Sequence, residues 1–168
     1  MIAVADASPL IACRQIPRLV DLFAKQFDRI LVPDAVFQEA VGGALEHPDP
    51  VRTTSARELL RHFESKPFSR VAVKRHELLD LSLGPGEVEA LSMARARSIR
   101  SVLVDDSKAS RVASSLGLRP LSTIAVVVRG FRSGQVDSAE SKALVQRLLE
   151  VNLFLSPGLV SKILSMLE

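Results

Sequence analysis

The chain lacks tryptophan and tyrosine, and its only aromatic residues are seven phenylalanines among 168 residues. Stacking of bases on exposed aromatic rings is therefore a weak option for binding a nucleic acid. The formal net charge of +3 and the sequence pI near 9.4 mildly favour an anionic partner. If the chain binds nucleic acid, we expect contacts to phosphate to dominate.

Cysteine and long apolar runs are also scarce. The single cysteine, Cys13, cannot form an internal disulfide, which fits a reducing cytoplasm. No apolar run approaches the roughly 20 residues that span a bilayer, and the apolar start has no basic leader and contains Asp6. The three histidines are scattered without zinc-ligand spacing. We therefore expect a cytoplasmic protein without a membrane segment or a structural zinc.

The residues that are abundant predict one globular domain over residues 1–168. Hydrophobic residues make up 47% of the chain and charged residues 24%. Short apolar runs predict strands at Ile2–Ala5, Ile30–Val32, Val71–Val73, Val102–Val104 and Leu153–Leu155. Helical spacing predicts helices at Pro9–Phe27 with a break at Pro17, Asp34–Val41, Ser55–Ser65, Glu87–Arg97, Lys108–Leu116, Ser122–Phe131, Ser138–Val151 and Gly158–Leu167. This alternation predicts an α/β fold with a mainly parallel sheet.

Carboxylates follow two of the predicted strands directly. Asp6 comes after Ile2–Ala5, and Asp105 and Asp106 come after Val102–Val104. Ligands of open parallel sheets bind at the carboxyl ends of the strands. We therefore expect these side chains to lie at the functional edge, although Asp6 and Asp106 are also suited to cap the helices that follow them.

Two glutamates on predicted helices are candidates for the same edge. Glu39 shares a helix face with Val36, and Glu87 shares a face with Leu91. Glu89 points in a different direction from Glu87 and is assigned to a supporting or surface position. Taken singly, solvation explains Glu39, and the helix dipole explains Glu87 at a helix start.

Several carboxylates that converge on one edge would repel each other unless cations neutralised them. Hard oxygen ligands suit Mg²⁺ or Mn²⁺, and such ions can activate water and stabilise charge on a phosphodiester. Ser8 could orient a carboxylate or cap a helix. Ser122 and Thr123 could hydrogen-bond near the site, but a helix cap is the role that we favour for them. Lys108 and Arg111 could contact phosphates or form a solvated helix face.

Four segments in order resemble the PIN-domain family, in particular its branch of VapC-like proteins. The first is Val4-Ala5-Asp6-Ala7-Ser8-Pro9-Leu10-Ile11, and the second is Val32-Pro33 followed by Val36 and Glu39. The third is Leu83-Gly84-Pro85-Gly86-Glu87-Val88-Glu89-Ala90-Leu91, and the fourth is Val104-Asp105-Asp106 with the helix after it. The third acid is Glu where Asp is common, and the fourth motif has an Asp pair without a preceding Thr.

The resemblance implies a three-layer α/β/α fold and a Mg²⁺- or Mn²⁺-dependent ribonuclease site. It implies that Asp6, Glu39, Glu87 and Asp105 form the acidic quartet, with Asp106 as a rival for the last place. It further implies an RNA substrate and a role as the toxin of a toxin–antitoxin pair, held by a cognate antitoxin and forming a homodimer.

Two other functions remain open on the sequence. A phosphatase could use Asp6 as its nucleophile, but Ser8 stands where such sites usually have a second acid. A non-catalytic binding or regulatory module could keep the same fold. The apolar segments Ile124–Phe131 and Gly158–Leu167 predict self-association, since Val126, Val127 and Val128 cannot all face one core from a helix.

Overall fold

The fold is centred on a parallel five-stranded sheet. A computed structural model describes residues 1–73, 82–151 and 157–168. The strand order is β3-β2-β1-β4-β5, and all neighbouring strands are parallel. The strands are β1 Ile2–Ala5, β2 Arg29–Pro33, β3 Phe68–Val71, β4 Ser101–Leu103 and β5 Arg119–Leu121.

Helices flank this sheet on both faces, which confirms the predicted α/β/α fold. A π-helical turn at Gln38–Gly42 lies between α3 and α4. The helices are α1 Ala7–Gln15, α2 Arg18–Gln26, α3 Asp34–Phe37, α4 Gly43–Leu45, α5 Pro50–Arg61, α6 Pro85–Ala96, α7 Ser107–Ser115, α8 Thr123–Arg132, α9 Ser138–Glu150 and α10 Pro157–Ser165.

Strand β1 lies at the centre of the sheet because its side chains are apolar on both faces. Ala3, Val4 and Ala5 are fully buried, as expected for a parallel strand that is covered by helices on both sides. Val4 pairs with Leu31 of β2 on one side and with Val102 of β4 on the other. The chain therefore leaves β1 at the middle of the sheet edge, which fixes the position of the next residue, Asp6.

Several predicted elements differ from those in the structure. The third strand is Phe68–Val71 rather than Val71–Val73. Helix α5 begins at Pro50 rather than at Ser55, because Asp49 caps it and proline is suited to a first helical position. Strand β5 was not predicted, and the predicted strand Leu153–Leu155 lies outside the described residues.

Much of Ile124–Phe131, one of the two segments predicted to self-associate, is buried within the chain itself. Val126 and Val127 are buried, and Val128 packs half-buried against the same core. Helix α8 contacts both α2 and α9, so two sides of it are covered within the chain. Helix α10 differs, because it buries Ile163 but leaves Leu159 exposed.

None of the helices in the described part of the chain is both long enough and apolar enough to cross a bilayer.

Candidate metal centre

Asp6 is a buried carboxylate at the carboxyl end of the central strand. Its N–H donates to the carbonyl of Leu103 over 2.9 Å, which continues the pairing of β1 with β4 by one residue. Asp6 precedes α1 in an extended conformation, but its side chain makes no capping hydrogen bond to that helix. The side chain is only 4% exposed. The capping role therefore does not account for Asp6.

The surroundings of Asp6 oppose its ionisation. The pKa of its carboxyl is raised from 3.8 to about 7, chiefly by burial and against a smaller lowering by the N–H of Ala7. The negative charges of Glu87, Glu39 and Asp105 contribute to this increase, in that order. All four predicted acids are therefore close enough to interact electrostatically around Asp6.

Glu39 reaches this cluster from the π-helical turn Gln38–Gly42. A Cβ on Gly86 would lie 3.0 Å from Glu39 Oε2 and 3.6 Å from Asp6 Oδ1, so both carboxylates approach one point beside the glycine. Partial burial raises the pKa of Glu39, and the charge of Glu87 adds to this effect. Glycine at position 86 thus leaves room for two acids at the start of α6.

Glu87 and Glu89 accept hydrogen bonds from different parts of the chain. Glu87 lies in the first turn of α6 and accepts a hydrogen bond from the Gly84 N–H over 2.8 Å. Glu89 accepts from the N–H of Ala35 over 2.7 Å and so binds the N-terminal end of α3. This bond fixes α6 against the segment that continues to Glu39.

The two aspartates after β4 form different contacts: Asp105 lies in the acidic cluster, and Asp106 caps a helix. Asp106 Oδ1 accepts from the N–H groups of Lys108 and Ala109, both over 2.8 Å, and caps α7. Asp105 accepts from Thr123 at both oxygens, from its N–H to Oδ1 and from its hydroxyl to Oδ2, each over 2.7 Å. These bonds lower the pKa of Asp105, but burial outweighs them and raises it. Asp105 is therefore the member of the pair that faces Asp6.

The carboxylate oxygens of these four acids are suitable ligands for a hard divalent cation. No lysine or arginine in the described part of the chain forms an ion pair with any of the four clustered acids. A cation would relieve the repulsion that raises the pKa of Asp6, and carboxylate oxygens suit Mg²⁺ and Mn²⁺. Within residues 1–73, 82–151 and 157–168, however, no three acidic, histidine or cysteine side chains are already arranged to hold an ion.

Residues 2–168 match the model of a family described as a PIN domain. The chain belongs to the PIN-domain family. PIN domains are generally metal-dependent nucleases, that is, hydrolases of phosphodiester bonds. The comparison with curated proteins gives no significant match.

A cleft of about 580 Å³ opens beside the acids of this PIN domain. Glu39, Asp105 and Asp106 line one part of it, and Ser8 lies in the first turn of α1 rather than at its cap. The remaining wall includes three basic side chains that sequence reasoning did not single out as site residues, namely Arg14, His47 and Arg52.

The basic residues favoured by the sequence lie elsewhere. Lys108 Nζ donates to the carbonyl of Ser82, which uses one of its three N–H groups. Neither Lys108 nor Arg111 lines the cleft. No sequence motif marks Arg14 or Arg52, and only the folding of α5 onto α1 brings the two together.

Proposed function

We propose that this PIN domain is a ribonuclease that uses Mg²⁺ or Mn²⁺ to hydrolyse phosphodiester bonds of RNA. The observation that carries the proposal is Asp6, a buried carboxylate next to three further acids with no described cationic side chain paired to them. A bound divalent ion supplies positive charge for the phosphate and lowers the pKa of water. Membership of a nuclease family supports the same conclusion.

Each acid has a distinct part in this proposal. Asp6 is the central ligand, and Glu39, Glu87 and Asp105 complete the set around it. Thr123 orients Asp105 through its two hydrogen bonds. Asp106 serves as a helix cap, so we assign it no direct place among the ligands.

We further propose that the whole chain forms one such domain, acts in the cytoplasm and is the toxin of a toxin–antitoxin pair. The resemblance of the four motifs to VapC-like proteins supports this role. A cognate antitoxin would then block the cleft, because an arginine could pair with its carboxylates in a bidentate manner. Homodimer formation belongs to the same proposal.

A non-catalytic binding module is the second candidate. It is favoured by the absence of a preassembled three-ligand group among the described residues. The hydrogen bonds on Glu87 and Asp105 also hold those carboxylates in place without a metal.

Cleavage of a labelled single-stranded RNA in the presence of Mn²⁺ separates the two candidates. We expect the wild type to cleave, EDTA to stop the reaction, and Asp6→Asn to reduce the rate by about a hundred-fold or more through loss of a central ligand. Glu58→Gln, an exposed change on α5, is the matched control and should cleave like the wild type.

Equal rates in Asp6→Asn and the wild type would contradict the ribonuclease assignment. Saturable Mn²⁺ binding in calorimetry without any cleavage would favour the binding module.

A further inference from the structure

The cleft beside the acids has a second, basic wall. Arg14 comes from α1, Arg52 from the first turn of α5, and His47 from the segment before α5. Glu39 and Asp105 line the same cleft, so both walls face one continuous space of about 580 Å³. This volume lies in the range of sites that hold ligands much larger than a single ion.

Arg14 is a buried cation whose hydrogen-bonding capacity is not filled. It is 7% exposed, and its Nη1 donates to the carbonyl of Ala40 over 3.0 Å. Its Nε–H is buried and has no hydrogen-bond partner, and no described carboxylate forms an ion pair with its guanidinium. An arginine side chain stays charged in proteins, so a buried one of this kind needs an anion nearby.

Arg52 adds a like charge instead of the missing anion. Burial lowers the pKa of Arg14, and the charge of Arg52 lowers it further. Arg52 is exposed and likewise lacks an ion pair among the described residues. Two guanidinium groups that repel each other across a cleft form a site for an oxyanion.

His47 adds to the excess of hydrogen-bond donors at this wall of the cleft. Its Nδ1 lies 3.1 Å from the N–H of Asp49, and its Nε2 lies 2.9 Å from Nη1 of Arg52. Both partners are donors, whereas a neutral imidazole has only one accepting nitrogen. One N–H group therefore lacks an acceptor, and an oxygen of a bound anion would supply it.

We propose that Arg14, His47 and Arg52 bind a phosphate group of the RNA backbone next to the phosphodiester that lies at the carboxylates. The proposal rests on the proposed ribonuclease function and names how that site holds its substrate. No phenylalanine among the described residues lines the cleft, so contacts to phosphate account for binding at this wall.

Binding of a fluorescein-labelled oligouridylate, measured by anisotropy over a range of salt concentrations, tests the proposal. All variants carry Asp6→Asn so that the RNA stays intact. We expect Arg52→Gln to weaken binding about five- to ten-fold and to reduce the slope of log K against log salt by about 0.7, the value for one phosphate contact on a single strand. Arg57→Gln, an exposed change on the same helix that does not line the cleft, should leave both quantities unchanged.

Two further measurements test which chemical group binds at this site. A deoxyribose strand of matching sequence should show the same dependence on Arg52, because the phosphate is the shared group. Equal binding by Arg52→Gln and Arg57→Gln would overturn the proposal. So would thermal stabilisation by inorganic phosphate that depends on Arg52 while binding of the oligouridylate does not, since the site would then take a free anion.

The ribonuclease assignment and the phosphate site can be contradicted independently of each other. If the wild type does not cleave RNA but Arg52→Gln weakens its binding, the phosphate site stands and the ribonuclease assignment falls. If the wild type cleaves and Arg52→Gln binds normally, the ribonuclease assignment stands and the phosphate site falls.

Discussion

The electrostatic cost of the acidic site falls mainly on one side chain, Asp6. It is buried at the end of the central strand and is surrounded by three other acids. Without a bound cation the folded state therefore resists the ionised form of Asp6, whereas the unfolded state does not. The carboxylate is consequently expected to weaken the metal-free fold.

The pH dependence of stability follows from the raised pKa of Asp6, about 7 when folded against 3.8 for its ordinary value. Between these values the folded state binds a proton that the unfolded state does not, so the free energy of unfolding falls as pH rises. Above pH 7 the penalty is constant and amounts to roughly 4 kcal/mol at most. We expect Asp6→Asn to become increasingly more stable than the wild type as the pH is raised from 5 to 8. Urea unfolding in EDTA measures this difference.

Glu58→Gln is the control for this measurement, because its exposed position should give a difference that does not change with pH. Mn²⁺ should stabilise the wild type and leave Asp6→Asn almost unaffected. An advantage of Asp6→Asn that stays the same at all pH values would argue against a raised pKa of Asp6.

Single residues differ in how far the sequence could predict them. Asp6 and Asp105 could be placed at the sheet edge because each follows an apolar strand directly. The sequence could not show that Asp105 joins the acidic cluster while Asp106 caps α7. This difference depends on the hydrogen bonds that Thr123 of α8 donates to Asp105. Arg14 was missed because a lone arginine in an apolar helix gives no signal until α5 packs beside it.

At the scale of elements, the start of α6 shapes the acidic site. Pro85 opens this helix and Gly86 follows, with Glu87 next. An added Cβ on Gly86 would also lie 3.3 Å from Val36 Cγ2. The absence of a side chain at this one position therefore lets α6 approach α3 and the π-helical turn closely.

Gly86→Ala tests this close approach, because the new methyl group would crowd the carboxylate of Glu39 at 3.0 Å. Alanine favours helix by up to about 1 kcal/mol over glycine, so we expect little change in the free energy of unfolding. We expect RNA cleavage to fall about ten-fold or more, because Glu39 must move away from Asp6. Parallel urea titrations and rate measurements check both effects.

Gly158→Ala is the matched control, since Gly158 also follows the proline that opens a helix and a Cβ added there would meet open space. It should leave the cleavage rate unchanged. A Gly86→Ala protein that cleaves like the wild type would show that Glu39 is dispensable at its present position.

Strongly patterned elements could be predicted from sequence, and weakly patterned ones could not. Ile2–Ala5 is apolar throughout, and its predicted bounds are confirmed. Strand β5 is only Arg119–Leu121, with a proline at its centre, which an edge strand tolerates but which does not predict a strand. Its position depends on pairing with β4, a contact that only the folded sheet provides.

For the whole molecule, the strand order explains where the site lies. The chain extends the sheet from β1 through β2 to β3 on one side and then returns to β4 on the other side of β1. The carboxyl ends of β1 and β4 therefore meet where the direction of winding reverses, which is where open α/β sheets bind ligands. Asp6 and Asp105 follow these two strands.

Helix α10 is the surface on which the predicted homodimer can be tested. Leu159 and Met166 are exposed and lie two turns apart on one side of this helix region. We expect the wild type to sediment as a dimer at tens of micromolar, and the double variant Leu159→Ser, Met166→Ser to sediment as a monomer, because it removes apolar area from the contact.

Val51→Ser removes an exposed apolar side chain from a different surface and should leave the dimer intact. A wild type that sediments as a monomer would contradict the homodimer, and a double variant that stays dimeric would place the contact elsewhere.

The burial of Cys13 gives the chain a built-in chemical reporter. The thiol is 1% exposed, and burial raises its pKa, with a further contribution from the charge of Asp105. A thiol reagent attacks the thiolate, so it can modify Cys13 only in molecules in which α1 has opened away from the core. With one cysteine in the sequence, the labelling rate follows a single site. The protein thus allows the opening of its own core to be timed without an introduced probe, with and without metal or RNA.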